Sequence, residues 1–133
     1  MSGFAEFDFS EFEQLGKSLR KMQADYPQFV ENCIRELASR LLAKTVARTP
    51  VDTGMLRRNW QLGPVERVGG GYSIELFNPI EYAPYVEYGH RTRLHTGWVE
   101  GRFMLTISER ELERELPALM DRKLKRFMED HLR

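Results

Sequence analysis

Three histidines, one cysteine and a loose group of arginines are the residues of this chain with the chemistry to act. His90, His95 and His131 lack metal-ligand spacing, and no HExxH pattern is present. The nearest grouping sets His90 and His95 with Glu87 and Glu100 in or beside one polar segment. A metal there would need ligands converging in a fixed geometry on a stretch without regular structure, so solvated histidines are the better reading. Neither a metal nor another cofactor is expected. Cys33 lies beside Ile34 and Leu37 on an apolar stripe, where a thiol packs as a small hydrophobe and has nothing to lower its pKa. As the lone cysteine it excludes an intramolecular disulfide and a cysteine-rich zinc site. No GxSxG elbow occurs. Gly69-Gly70-Gly71 lacks a following Lys-Ser or Lys-Thr and precedes a strand, so it reads as a turn and not as a phosphate cradle. With no nucleophile beside a base and no small-molecule substrate implied, an enzyme is not expected.

The arginines gather locally. Arg57 and Arg58 follow a turn, and Arg91, Arg93 and Arg102 flank the segment that holds His90 and His95. Such a patch suits the phosphates of passing DNA without reading sequence. Solvation and interface salt bridges are the plainer account. Lys plus Arg number 20 and Asp plus Glu number 20, so the chain lacks the basic excess of a dedicated nucleic-acid binder. Weak self-repulsion instead suits a subunit that packs against its own copies. Trp98, in the same polar segment, reads either as an anchor for a partner surface or as a ring packed on its own domain.

The elements that position these residues form a single domain over 1–133. Ser10 with Glu13 makes a capping-box pattern that opens a helix through about residue 23, with Phe12, Leu15, Leu19 and Met22 on one stripe and Gly16 weakening it. Asp25-Tyr26-Pro27 reads as a stop and a new start. A second helix is expected over 27–48, with Val30, Ile34, Leu37 and Leu41 inward and Glu31–Arg35 and Glu36–Arg40 pairs on the wet side. Residues 60–68 and 72–78 are rich in aromatic and β-branched types around the triple glycine, which is a hairpin signal. Gly63-Pro64 implies a bulge or an edge position. Residues 81–88 return to helical spacing, with Tyr82, Tyr85 and Val86 on one face and Gly89 as a left-handed cap. Residues 90–101 have no period and read as a long flexible loop. Ser108 with Glu111 opens a last helix that Pro117 kinks or divides. The fold class is therefore α+β, a small antiparallel sheet built on the central hairpin and packed by N-terminal helices and a long C-terminal helix. No signal peptide and no apolar run of membrane-spanning length is visible, so no membrane partner is expected.

Two segments together resemble a known family. Thr49-Pro50-Val51-Asp52-Thr53-Gly54-Met55-Leu56-Arg57-Arg58-Asn59-Trp60 looks like its TPVDTG-x-LR signature, and Tyr82-Ala83-Pro84-Tyr85-Val86-Glu87-Tyr88-Gly89 looks like its YAxYVExG signature. Gly101-Arg102-Phe103-Met104-Leu105 resembles its looser third motif. The family is that of the gene-ten-like minor tail components of long-tailed phages, assigned to tail completion or head–tail joining. Many relatives read RPF where this chain has Gly101-Arg102-Phe103-Met104, and the 90–100 segment is longer than usual, departures that point to a branch from Gram-positive prophages. The resemblance implies a structural subunit at the head–tail junction, held in the host cytoplasm before assembly. Its partners would be copies of itself in a ring, as a hexamer, and neighbouring connector and tail proteins. A tail terminator is the close alternative, and a DNA-contacting connector the alternative of another class. In physical terms Pro50 stops a helix, Asp52 or Thr53 caps the next turn, and Gly54 permits a tight bend that sends Leu56 and Trp60 towards the core. Arg57, Tyr82, Tyr88 and Gly89 complete the fold motifs. The residues expected at subunit contacts are Tyr85, Glu87, His90, Arg91, Arg93 and Trp98.

Overall fold

A computed structural model describes residues 8–51 and 54–132. In chain order its elements are helix α1 (Ser10–Arg48), the one-turn helix α2 (Met55–Arg58), and strands β1 (Gln61–Leu62), β2 (Glu66–Val68), β3 (Gly71–Ser73) and β4 (Leu76–Phe77). Helix α3 (Ala83–Tyr88), strands β5 (Gly89–Arg91) and β6 (Trp98–Glu100), and helix α4 (Met104–Leu132) come next. The architecture is α+β, with small antiparallel strand pairs flanked by helices from the two ends of the chain.

Residues 10–48 form one helix where the sequence suggests two. Pro27 has no amide to donate and its ring crowds the carbonyl four residues back, a local cost of about 3 kcal/mol. Contacts with α4 on both sides of Pro27 hold the helix across it. The Phe29 ring stacks on Phe127 with centroids 4.3 Å apart, Tyr26 meets the same ring edge-on at 6.2 Å, and Asp25 Oδ2 lies 2.7 Å from His131 Nε2. Pro117 likewise sits inside an unbroken α4. Ion pairs fix the direction of the two helices: Lys44 with Glu111 and Glu115, Arg48 with Glu111, Lys123 with Glu36, and His131 with Asp25 make them antiparallel. Thr45 and Ser108, both fully buried, donate their hydroxyls to the carbonyls of Leu41 and Met104 four residues back, so neither is left unsatisfied in the core.

Neither capping box forms. At α1, the Asp8 carboxylate accepts from the Ser10 amide at 2.9 Å, and this bond holds the Asp8 carboxyl below its ordinary range. Helix α4 begins at Met104, ahead of Ser108, because its first amides are capped by the side chain of Glu87.

The central hairpin is present in two short ladders. β2 and β3 pair at the tip with Val68 opposite Gly71, and β1 and β4 pair at the base with Gln61 opposite Phe77. Gly63-Pro64 separates the ladders, although the Gly63 amide still donates to Glu75 O at 2.8 Å. Tyr72, Ile74 and Leu76 are half-buried and alternate with exposed Ser73 and Glu75, and this face lies against Ile34, Leu37 and Leu41 of α1.

Residues 90–100, read as an irregular loop, are instead a β5–β6 hairpin with Gly89 opposite Glu100, His90 opposite Val99 and Arg91 opposite Trp98. Its connection is tied by Thr92: the Thr92 amide donates to Gly97 O, and Thr92 Oγ1 accepts from the Gly97 amide, both at 3.0 Å. The strands are three residues each and lack apolar–polar alternation, so periodicity gave no sign of them.

His131 closes the far end of the helix pair. Its Nδ1 faces the Phe127 carbonyl at 2.8 Å and its Nε2 faces Asp25, so both ring nitrogens meet acceptors and the imidazolium is favoured. Its pKa is raised above the ordinary 6.5, chiefly by the Asp25 carboxylate and then by the Phe127 carbonyl, with burial and Lys21 opposing. A raised folded-state pKa gives stability that is fully present below the unfolded value and is lost as pH rises through the folded one. The wild-type melting temperature should therefore fall, relative to a His131→Gln variant, as pH is raised from about 6.5 through neutrality. Parallel curves for the two proteins between pH 6 and 8.5 would contradict this account.

Candidate functional site

The surface that holds the expected contact residues is built on α3 and the β5–β6 hairpin, and its geometry starts in the core beneath. Leu56, Ala83 and Met104 pack together as a buried cluster, with Trp60, Ile80 and Val86 against them. Each of the three comes from a different motif of the sequence. Trp60 Nε1 donates to Thr49 Oγ1 at 2.8 Å, and that hydroxyl donates to Thr45 O at 2.6 Å, so the indole is pinned to the end of α1. Arg57 Nε donates to Val46 O at 3.0 Å and serves as a C-terminal cap for α1. Gly54 takes φ +76°, as a turn into α2 requires. Pro50 lies just past the end of α1, as expected of a stop. The suggested caps Asp52 and Thr53 lie outside the described residues.

Asn78 joins this corner to α3. Its Nδ2 donates to Leu56 O at 2.8 Å and its Oδ1 accepts from the Ile80 amide at 3.1 Å. In α3, Ala83, Val86 and Glu87 turn inward, and Tyr85 and Tyr88, with Tyr82 at the N-cap position, turn out with 57%, 61% and 40% of their surfaces exposed. Val86 thus parts company from the two tyrosines with which it was grouped. Glu87, expected at a subunit contact, is buried at 5% exposure. Its Oε1 accepts from the Leu105 amide at 2.9 Å, and its Oε2 accepts from the Thr106 amide at 3.0 Å and the Thr106 hydroxyl at 2.8 Å. A carboxylate at a helix N-terminus satisfies orphan amides and meets the positive end of the helix dipole. Glu87 is the cap of α4, and no local signal marks it, because cap and helix are some eighteen residues apart.

The chain then doubles back tightly. The Arg102 and Phe103 amides donate to Val86 O and Glu87 O at 2.7 and 3.0 Å, closing the C-terminal end of α3. Gly89 and Gly101 face one another in this crossing. A Cβ on Gly101 would overlap the Glu87 carbonyl oxygen. Gly89 has φ +90° and ψ 173°, a conformation other than the left-handed helical cap expected there.

From this base the hairpin carries Arg91, Arg93, Leu94, His95 and Trp98 outward. Trp98 keeps 58% of its surface exposed while its ring edge lies over Gly89, so it is neither buried in its own domain nor detached from it. His90 is half-buried, meets the Tyr85 ring edge-on at 6.1 Å, and its Nδ1 has no hydrogen-bond partner among the described residues. Tyr85, Tyr88, Leu94, Trp98 and Val99 are each exposed on α3 and the hairpin; Trp98 shares a hairpin face with Arg91, and Val99 shares the other with His90, residue types suited to protein contacts. Arg57 does not join them, because it is spent on α1.

Among the described residues no group of three His, Cys, Asp or Glu side chains could hold a metal ion. Cys33 is buried between the helices, and burial pushes its thiol pKa up against the opposing pull of Lys123. No helix among the described residues is long and apolar enough to cross a membrane.

Two of the sequence motifs thus build the corner and α3, and both lie in the part of the chain that a family model matches. The model "Bacteriophage HK97-gp10, putative tail-component" covers residues 13–89, more than half of the chain. The chain belongs to the HK97-gp10-like family. It is a structural phage tail component of the α+β class, and the family match takes in α1, the central hairpin and α3. The β5–β6 hairpin beyond Gly89 and the whole of α4 lie outside the matched region. No curated protein and no solved structure matches the chain at a significant level.

Proposed function

We propose that this HK97-gp10-like protein is a tail-completion or neck subunit, which assembles as a ring of its own copies and joins the tail to the head. The observation that carries the reading is the family match through residue 89, combined with the exposed α3 and β5–β6 surface that continues from it. Tyr85, Arg91, Arg93 and Trp98 are the contact residues of that surface, with His90 at its inner edge. Glu87 and Gly89 hold it in shape. Rigid aromatic side chains on a short hairpin suit a subunit that must dock in one orientation, because they lose little conformational freedom on contact.

Deletion of the gene from an inducible phage should leave filled heads and free tails of normal length in negative-stain micrographs, and added protein should restore joining. Tails of uncontrolled length would shift the role to a terminator that caps the tube. Intact, infectious particles would overturn the structural reading. Salt-sensitive binding to DNA by the isolated protein would instead favour the connector role.

A further inference from the structure

Helix α1 is longer than its partner. His131, near the end of α4, pairs with Asp25, so α1 continues past α4 for about three turns, or ~18 Å. Along α1 the positions Phe12, Leu15, Leu19, Met22, Tyr26, Phe29 and Cys33 alternate in steps of three and four, which is a coiled-coil seam. α4 covers only its lower half. Cys33 is 4% exposed, whereas Phe12, Leu15 and Leu19 are 73%, 45% and 48% exposed. Gly16 lies within this overhang and weakens it further as a helix.

A second unfilled apolar feature lies on the helix pair itself. Tyr26, Val30, Leu37, Met120 and Leu124 line a groove between α1 and α4. Leu124 continues the feature along α4 through Met128 and Leu132, each at least 40% exposed.

We propose that two copies of this chain pair through these features, the overhang of each α1 lying in the α1–α4 groove of the other as an antiparallel four-helix bundle. Charge order selects the direction. The overhang runs from acidic Glu11 and Glu13 to basic Lys17, Arg20 and Lys21, and α4 beyond Asp121 runs from basic Arg122, Lys123, Lys125 and Arg126 to acidic Glu129 and Asp130. Laid parallel to the neighbour's α4, the overhang sets opposite charges side by side; reversed, it sets like against like. An overhang parallel to the neighbour's α4 is antiparallel to the neighbour's α1, so the contact is reciprocal and closes as a two-fold pair. The seam suits this arrangement, since a two-fold turn between Met22 and Gln23 places Phe12 near Cys33, Leu15 near Val30 and Leu19 near Tyr26 of the partner. The surface is separate from the α3 and β5–β6 surface assigned to the particle.

Light scattering on the full chain after size exclusion tests the pairing. The expected mass is twice the 15.7 kDa of one chain. A Phe12→Glu/Leu19→Glu variant should weaken pairing about tenfold or more while keeping a cooperative melt, because neither side chain is buried in the monomer. Glu11→Lys with Glu13→Lys should also weaken it, and Lys125→Glu with Arg126→Glu added to that variant should restore it. A monomeric wild type overturns the proposal, and so does an oligomer that survives Phe12→Glu/Leu19→Glu. Failure of the second charge pair to restore pairing overturns the arrangement of the helices. None of these outcomes depends on the joining role, which the gene deletion reads independently.

Discussion

Replacing Glu87 with alanine should lower stability by about 3 kcal/mol, because two backbone amides and a hydroxyl at the start of α4 lose their acceptor together. A single lost cap costs ~1 kcal/mol, and hydrogen bonds to a charged group are worth roughly twice a neutral one. The Leu105 and Thr106 amides are part-buried, so water replaces the carboxylate poorly. Thermal unfolding followed by far-ultraviolet circular dichroism should show a melting temperature lower by roughly 10 °C. Glu87→Gln should fall between the two, since the amide keeps one acceptor oxygen but turns an N–H towards another N–H. A Glu87→Ala protein that melts within about 2 °C of wild type would show that α4 caps itself, as the Ser108 pattern suggested.

Gly89→Ala should be nearly as damaging, but in one place. At φ +90° and ψ 173° the backbone lies where only glycine is at ease. An added Cβ would also stand 2.5 Å from Val99 O and 2.9 Å from the Trp98 ring. Strain and overlap together cost about 3 kcal/mol. The cheapest relief is to part β5 from β6, since α1 and α4 hold each other without them. Amide exchange in the β5–β6 ladder should accelerate roughly 100-fold, with helical circular dichroism little changed. In the phage, this variant should fail to restore head–tail joining although it remains folded. Unchanged exchange in β5–β6 would mean that the crossing has room the geometry does not show, and full restoration of joining would remove the hairpin from the contact surface.

Both substitutions act on the second motif, and they show why two motifs so legible in sequence yield architecture rather than a site. Thr49, Gly54, Leu56, Arg57 and Trp60 set the corner after α1, while Ala83, Glu87 and Gly89 set α3 and the crossing beyond it. The motifs leave Tyr85 and Tyr88 exposed, and Tyr85, with exposed Trp98 and the hairpin arginines, forms the contacts proposed above.

By itself the sequence determined the class of fold, the amphipathic helices at the two ends, and the glycine turn with its alternating Tyr72-Ile74-Leu76 strand. These are local matters: helical spacing, period-two alternation and turn chemistry act within a few residues of chain. Tertiary structure alone decided that Pro27 and Pro117 would lie within unbroken helices, that α4 would start at Met104 under a cap from Glu87, and that the polar 89–100 segment would pair as strands. In each case the deciding contact joins residues far apart in sequence. Phe127 and His131 meet the turns on either side of Pro27, and Glu87 reaches the amides of a later helix, so contact energy outweighs a local preference worth only a few kcal/mol. The uncovered half of the α1 seam belongs to the same class, since its spacing was written in the sequence but its lack of a partner came only from where α4 ends.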